Sequence, residues 1–135
     1  MAAAQRVTFF KMNLEDKPGA LLAVMRDLKA KNLSLVGLWG YSTSPGNAEL
    51  HVAARNPDKV CNYWKSMGKL VSETPGFFLK GTDKTGALIH HLEALASAGV
   101  SMTGIDGVAV GGKYGSFVWV KPADVEKAAK ALGAK

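Results

Sequence analysis

Two short segments carry residue types suited to holding a small charged molecule. Asp16-Lys17-Pro18-Gly19-Ala20 and Asp83-Lys84-Thr85-Gly86-Ala87 each set a carboxylate beside an ammonium, with a glycine just after. Where such a segment opens a helix, free N–H groups and the positive end of the helix dipole suit a carboxylate. The glycine lets ligand atoms approach the backbone, because no Cβ intervenes, and the aspartate is free to face an ammonium. A carboxylate and an ammonium a few ångströms apart describe an α-amino acid. The same residues also have a purely structural use: Asp caps a helix, Pro occupies its first turn and Gly bends the chain.

The two segments belong to a longer repeat. DKPGALLAVMRDLKAKNLSLVGL aligns without a gap on DKTGALIHHLEALASAGVSMTGI, with roughly 8 of 23 positions identical and most other apolar positions kept. Retention of both the glycine turn and the apolar spacing indicates duplication. In the first copy, residues 5–13 read as a strand. Leu21, Val24, Met25 and Leu28 recur at helical spacing, so 17–31 reads as an amphipathic helix capped by Asp16 and closed by Asn32. A strand follows over 33–43, with Leu33, Leu35, Trp39 and Tyr41 on one face. Residues 44–47 form a turn, 48–54 return as a strand, Pro57 opens a helix to about Met67, and 69–73 finish the unit.

The second copy repeats the pattern: strand 77–82, helix 84–98, strand 100–110, turn 111–113, strand 115–121 and helix 123–132. It then lacks a final strand, which leaves a sheet edge open or paired elsewhere. The expected fold class is α+β: two tandem ferredoxin-like βαββαβ modules, 1–74 and 75–135, each an antiparallel sheet with helices on one side. A separate module of about 65 residues has a marginal core, so association of halves, and a homodimer through sheet edges or an uncovered sheet face, is expected.

The segment LEDKPGALLAVMRDLKAKNLSLVGL resembles the opening of ACT domains, and GTDKTGALIHHLEALASAGVSMTGI is similar, with Thr85 where the family usually has proline. The resemblance covers nearly the whole chain as two modules and is closest to the free-standing tandem form. It implies a regulatory, non-catalytic protein that binds a free amino acid or similar small molecule between paired modules, acting on a metabolic enzyme or transporter. It implies a ligand loop at Asp16, Lys17, Pro18, Gly19 and Ala20, and again at Asp83, Lys84, Thr85, Gly86 and Ala87. The start of the second strand, from which the family often supplies an asparagine to the ligand of a neighbouring module, corresponds to Asn32, Leu33 and Ser34 and to Gly99, Val100 and Ser101.

Other chemistries find less support. His90 and His91 diverge by about 100° on a helix and do not converge on one metal; no Cys/His/Asp cluster has metal spacing, and no cofactor is expected. Cys61, the only cysteine, lies near Tyr63 and Trp64 without a partner that would make it a nucleophile. No Walker pattern is present, and Gly104, Gly107, Gly111 and Gly112 read as bulge and turn glycines. An RNA-binding RRM shares the element order, and Lys113–Val120 and 77–82 loosely resemble its two aromatic strands. The aromatic register is imperfect, and 48–55 has no aromatic residue, so nucleic acid is not expected as a partner. A structural domain without ligand is a further alternative, and an acylphosphatase-like enzyme lacks its phosphate-cradling arginine loop. The net charge of +6 is spread along the chain, densest at Arg26, Lys29 and Lys31. No apolar run reaches the roughly 20 residues of a membrane helix, and no signal peptide is read at the start. With a single cysteine, a reducing cytoplasm is the expected compartment.

Overall fold

The computed structural model describes residues 3–135. The fold is α+β, with seven strands and four helices among the described residues. In chain order these are β1 (Ala3–Glu15), α1 (Ala20–Ala30), β2 (Leu35–Ser44), β3 (Asn47–Ala54), α2 (Pro57–Ser66), β4 (Ser72–Thr82), α3 (Ile89–Ser97), β5 (Met102–Ile105), β6 (Val108–Val110), β7 (Lys113–Val120) and α4 (Val125–Leu132). β3 pairs antiparallel with β1 and β2, and β7 pairs antiparallel with β4, β5 and β6. No helix among the described residues is long and apolar enough to cross a membrane. The described residues divide into two compact units, Thr8–Thr74 and Pro75–Lys135, the latter joined by residues 3–7.

In the N-terminal unit alternate residues of the strands face the helices. Phe10 and Met12 of β1 sit opposite Val52 and Leu50 of β3. These four bury with Val24 and Leu28 of α1 and with Val60, Cys61 and Trp64 of α2, so both helices cover the same sheet face. α1 ends where Asn32 takes a left-handed φ of 57°. There the N–H groups of Asn32 and Leu33 return to the carbonyls of Lys29 and Leu28. Asparagine tolerates that conformation better than most residues with a Cβ.

Two expectations for this unit change. A bulge between Leu35 and Gly37 shifts the register of β2 against β3. A shift of one residue reverses which face a side chain takes. Leu33 and Leu35 therefore pack on the core, whereas Trp39 and Tyr41 stack on His51 at ring separations of 5.2 and 5.8 Å. Nor does Asp16 cap α1. The N-cap is Gly19 at φ 88°, with no side-chain cap. The Asp16 carboxylate instead accepts the Ser42 hydroxyl at 2.7 Å, a charge-assisted bond across to β2.

The C-terminal unit is built likewise. Phe77 and Leu79 of β4 lie opposite Val118 and Ser116 of β7. With Leu95 of α3 and Ala128 and Ala129 of α4 they form the second core. The expected strands 69–73 and 77–82 merge into one strand, β4, which begins only at Ser72. Pro75 precedes the ladder to β7, which begins at Phe77, so its missing N–H leaves no gap on that side. The expected strand 100–110 is broken at Asp106, whose carboxylate accepts the N–H of Phe117 at 2.8 Å and whose own N–H reaches the Phe117 carbonyl.

Residues 3–7 of β1 stand where this unit was expected to lack a strand. β1 is the hydrogen-bonded neighbour of β4, and Ala4 packs against this unit's core. Arg6 holds Glu126 of α4 with two bonds of 2.9 and 2.7 Å, and its N–H reaches the Lys135 carbonyl.

His91 faces inward from α3 and is only 3% exposed. Its Nε2 has no hydrogen-bond partner among the described residues. Burial first, and the neighbouring His90 second, push its imidazole below the ordinary 6.5. Folding thus favours the neutral ring, while the unfolded chain takes up a proton near 6.5. The contribution of His91 is complete above about pH 6.5 and is lost as pH falls through the lower folded value. The melting temperature is expected to drop between about pH 7 and pH 5, before carboxylates titrate, and His91→Leu to flatten that drop. A wild-type profile level across this range contradicts the assignment.

Candidate functional site

Each unit carries an open cleft between its Asp-Lys-x-Gly turn and the hairpin that returns beside it. The cleft of the N-terminal unit holds about 400 Å³ and is walled by Leu14, Lys17, Leu21, Leu38, Tyr41 and Ala48, with Asp16 and Ser42 at one side. The cleft of the C-terminal unit holds about 390 Å³, between Asp83, Lys84, Gly86 and Leu88 on one side and Gly107, Val108 and Tyr114 on the other.

The turns themselves are alike. Gly19 and Gly86 have φ of 88° and 76°, a region where a Cβ is strained. In both, the N–H of the following alanine returns to the lysine carbonyl, Ala20 to Lys17 and Ala87 to Lys84. A Cβ on Gly19 would meet nothing within 4 Å, whereas one on Gly86 would lie 2.9 Å from Ile89 Cδ1. At Gly19 the surrounding space is open, and the conformation is what demands glycine.

Within each unit the turn and the start of the second strand lie apart, and the resemblance has the second-strand segment reach the ligand of a neighbouring module. Asp16, Lys17 and Ala20 line the first cleft. Asn32, Leu33 and Ser34 lie at the opposite end of α1, on a different cavity of about 320 Å³. Asp83, Lys84, Gly86 and Ala87 line the second cleft. Gly99, Val100 and Ser101 lie at the far end of α3, where Gly99 at φ 71° closes the helix, Val100 is part of the core and Ser101 is exposed. Asn32 and Gly99 thus have the same structural task of ending a helix.

Electrostatically the first cleft is closed on itself. Asp16 holds Ser42, and Lys17 holds Glu15 at 2.9 Å. The Tyr41 hydroxyl donates to Glu49 at 3.0 Å. Glu49 also holds the Lys11 ammonium at 3.1 Å, and these bonds, Lys11 first and Tyr41 next, keep its carboxyl below the usual carboxylate range. The same bond to Glu49 pushes the Tyr41 phenol up.

The second cleft differs at one pair. Gly81 of β4 lies opposite Tyr114 of β7, where the first copy has Leu14 opposite Ala48. A Cβ on Gly81 would stand 2.8 Å from Tyr114 Cε1, so the ring occupies the space a side chain at position 81 would need. The bulk has moved from one strand to the other and brought a phenol with it. Tyr114 is missed by reading the turns alone; the trace it leaves is the aligned change of Leu14 to Gly81.

Among the described residues no group of three or more His, Cys, Asp or Glu is placed to hold a metal ion. Cys61 is buried in the first core, its thiol pushed up by burial and by Glu73 at 3.5 Å.

No protein-family model and no curated protein matches the chain. Solved structures do. Protein BT0572 from Bacteroides thetaiotaomicron superposes with a TM-score of 0.81 at 22% identity, covering 96% of this chain and 88% of that one. The ligand-free regulatory subunit of aspartate kinase from Thermus thermophilus gives 0.64 at 11% identity, over 98% and 94%. The corresponding regulatory subunit from Thermus flavus gives 0.60 at 13%, over 98% and 94%. At such identities the likeness is one of fold, and it supports an ACT-like, ferredoxin-like architecture.

The exchange between the two strand pairs is open to a double-mutant cycle. Gly81→Leu alone is expected to cost about 1–3 kcal/mol, by forcing bulk against the Tyr114 ring. Gly81→Leu with Tyr114→Ala rebuilds the Leu14–Ala48 pair of the first copy and is expected to recover at least half of that loss in chemical denaturation. Additive costs would show that the two positions do not share this space.

Proposed function

We propose that the protein is a non-catalytic regulatory sensor of a free amino acid or a closely similar small molecule, built from two tandem ACT-like modules. The observation that carries this reading is the duplicated Asp-Lys-x-Gly turn at the mouth of a cleft in both units. Each turn puts a carboxylate, an ammonium and a left-handed glycine beside the start of a helix, which suits a zwitterion. The fold likeness to regulatory subunits of aspartate kinase favours a regulatory role over a catalytic one. The working module boundary is 74/75, with the residues up to Val7 serving the second module, and the protein acts as a homodimer on an enzyme or transporter in the cytoplasm. Ligand binding regulates only through the difference in affinity between two arrangements of the protein.

A thermal-shift screen of the twenty amino acids, with single-stranded RNA beside them, tests this. A ligand at 100 times its dissociation constant adds about 2.7 kcal/mol of stability, and at least one amino acid is expected to do so. Salt-sensitive stabilisation by RNA with none by amino acids would replace the proposal with a stacking surface built on Phe78 and Phe117, whose rings lie 4.9 Å apart.

A further inference from the structure

We infer that the ligand sits in the cleft of the C-terminal unit, not in that of the N-terminal unit, and that Tyr114 reads its carboxylate. This rests on the amino-acid reading above and goes further by choosing between the two clefts and naming the group that recognises.

Three observations lead there. Tyr114 is about nine-tenths buried, at 9% exposed, and lines the cleft. Its hydroxyl has no hydrogen-bond partner among the described residues. A buried hydroxyl with no partner costs free energy, and native structures seldom leave one without a use. Asp83 and Lys84 at the rim form no ion pair or side-chain hydrogen bond among the described residues, whereas Asp16 and Lys17 of the other cleft are both engaged. The second cleft thus has an unspent donor on a residue of its wall and both signs of charge at its rim, while the first has its polar groups bonded to one another.

The chemistry of the occupant follows. A phenol O–H makes its strongest bond to an ionised acceptor, so a carboxylate is the partner that best relieves Tyr114. Lys84 adds attraction for the same charge, Asp83 for an ammonium, and Leu88 and Val108 offer apolar wall to a side chain. Gly81 is part of the device, because only the missing side chain there admits the ring.

The test is calorimetry on wild type, Tyr114→Phe and Ser42→Ala, with each L-amino acid that stabilises the wild type. Tyr114→Phe removes one oxygen with no partner, so the free variant is expected to melt no lower than wild type. Its affinity for every binding amino acid is expected to fall about tenfold or more, as for loss of a hydrogen bond to a charged group. Ser42→Ala, in the other cleft, is expected to bind as wild type. The assignment is overturned if Tyr114→Phe binds normally, if Ser42→Ala carries the loss, or if Tyr114→Phe melts well below wild type. It is overturned also if only amino acids with polar side chains weaken, since the phenol would then read a side chain. Those results leave the amino-acid proposal standing, whereas a wild type that binds none of the twenty removes the proposal and this assignment together.

Discussion

Each unit depends on a single left-handed residue between its first strand and first helix. At Gly19 and at Gly86 the chain must reverse from an extended strand to a helix that lies back across it, and it does so at φ 88° and 76°. An L-residue with a Cβ pays about 1–2 kcal/mol in that region. Once the turn is made, the alternating faces of β1 and β4 and the inner faces of α1 and α3 meet at the right height. Val24 and Leu28 then cover Phe10 and Met12 in one unit, and Leu95 covers Phe77 and Leu79 in the other. The clefts are a by-product of the same geometry, because the hairpin that returns beside the turn cannot fill the space under the helix start.

What was legible from the residues alone is what is local. The strand–helix–strand order, the turn at Pro45-Gly46, the start of α2 at Pro57 and the left-handed close at Asn32 follow from periodicity and from residues with restricted dihedrals. The bulge between Leu35 and Gly37, the passage of β4 through Pro75 and the break at Asp106 were not legible, because each is decided by pairing with a partner strand and not by the residues of the strand itself. Asp16 illustrates the competition. Its type and position favour a cap, yet its carboxylate finds the Ser42 hydroxyl on β2, and the cap passes to a glycine without any side-chain bond.

The candidate site was half legible for the same reason. The turns could be read because they are short and repeated. The facing walls could not, because Tyr41, Ser42, Val108 and Tyr114 arrive from hairpins whose register is set by pairing. Nothing in the spacing between Asp83 and Tyr114 states that they share a cleft. Only the aligned repeat holds a hint, the glycine at 81 against the leucine at 14.

The two copies of the turn have also parted in how their helices begin, and this bears on why the second cleft is the more open chemically. In the first copy the Gly19 carbonyl accepts the N–H of Ala23, four residues on, and α1 starts at Ala20. Pro18 stands just ahead of that cap, outside the helix. In the second copy Thr85 replaces that proline, the Gly86 carbonyl accepts the N–H of Ile89, three residues on, and α3 starts only at Ile89. A three-residue closure is tighter than a helical one. It holds Gly86, Ala87 and Leu88 in a turn ahead of the helix, where Leu88 approaches Gly107 of the facing loop. A duplicated structural motif has in this way come to border two unlike clefts, through a different helix start and one exchange of bulk between paired strands.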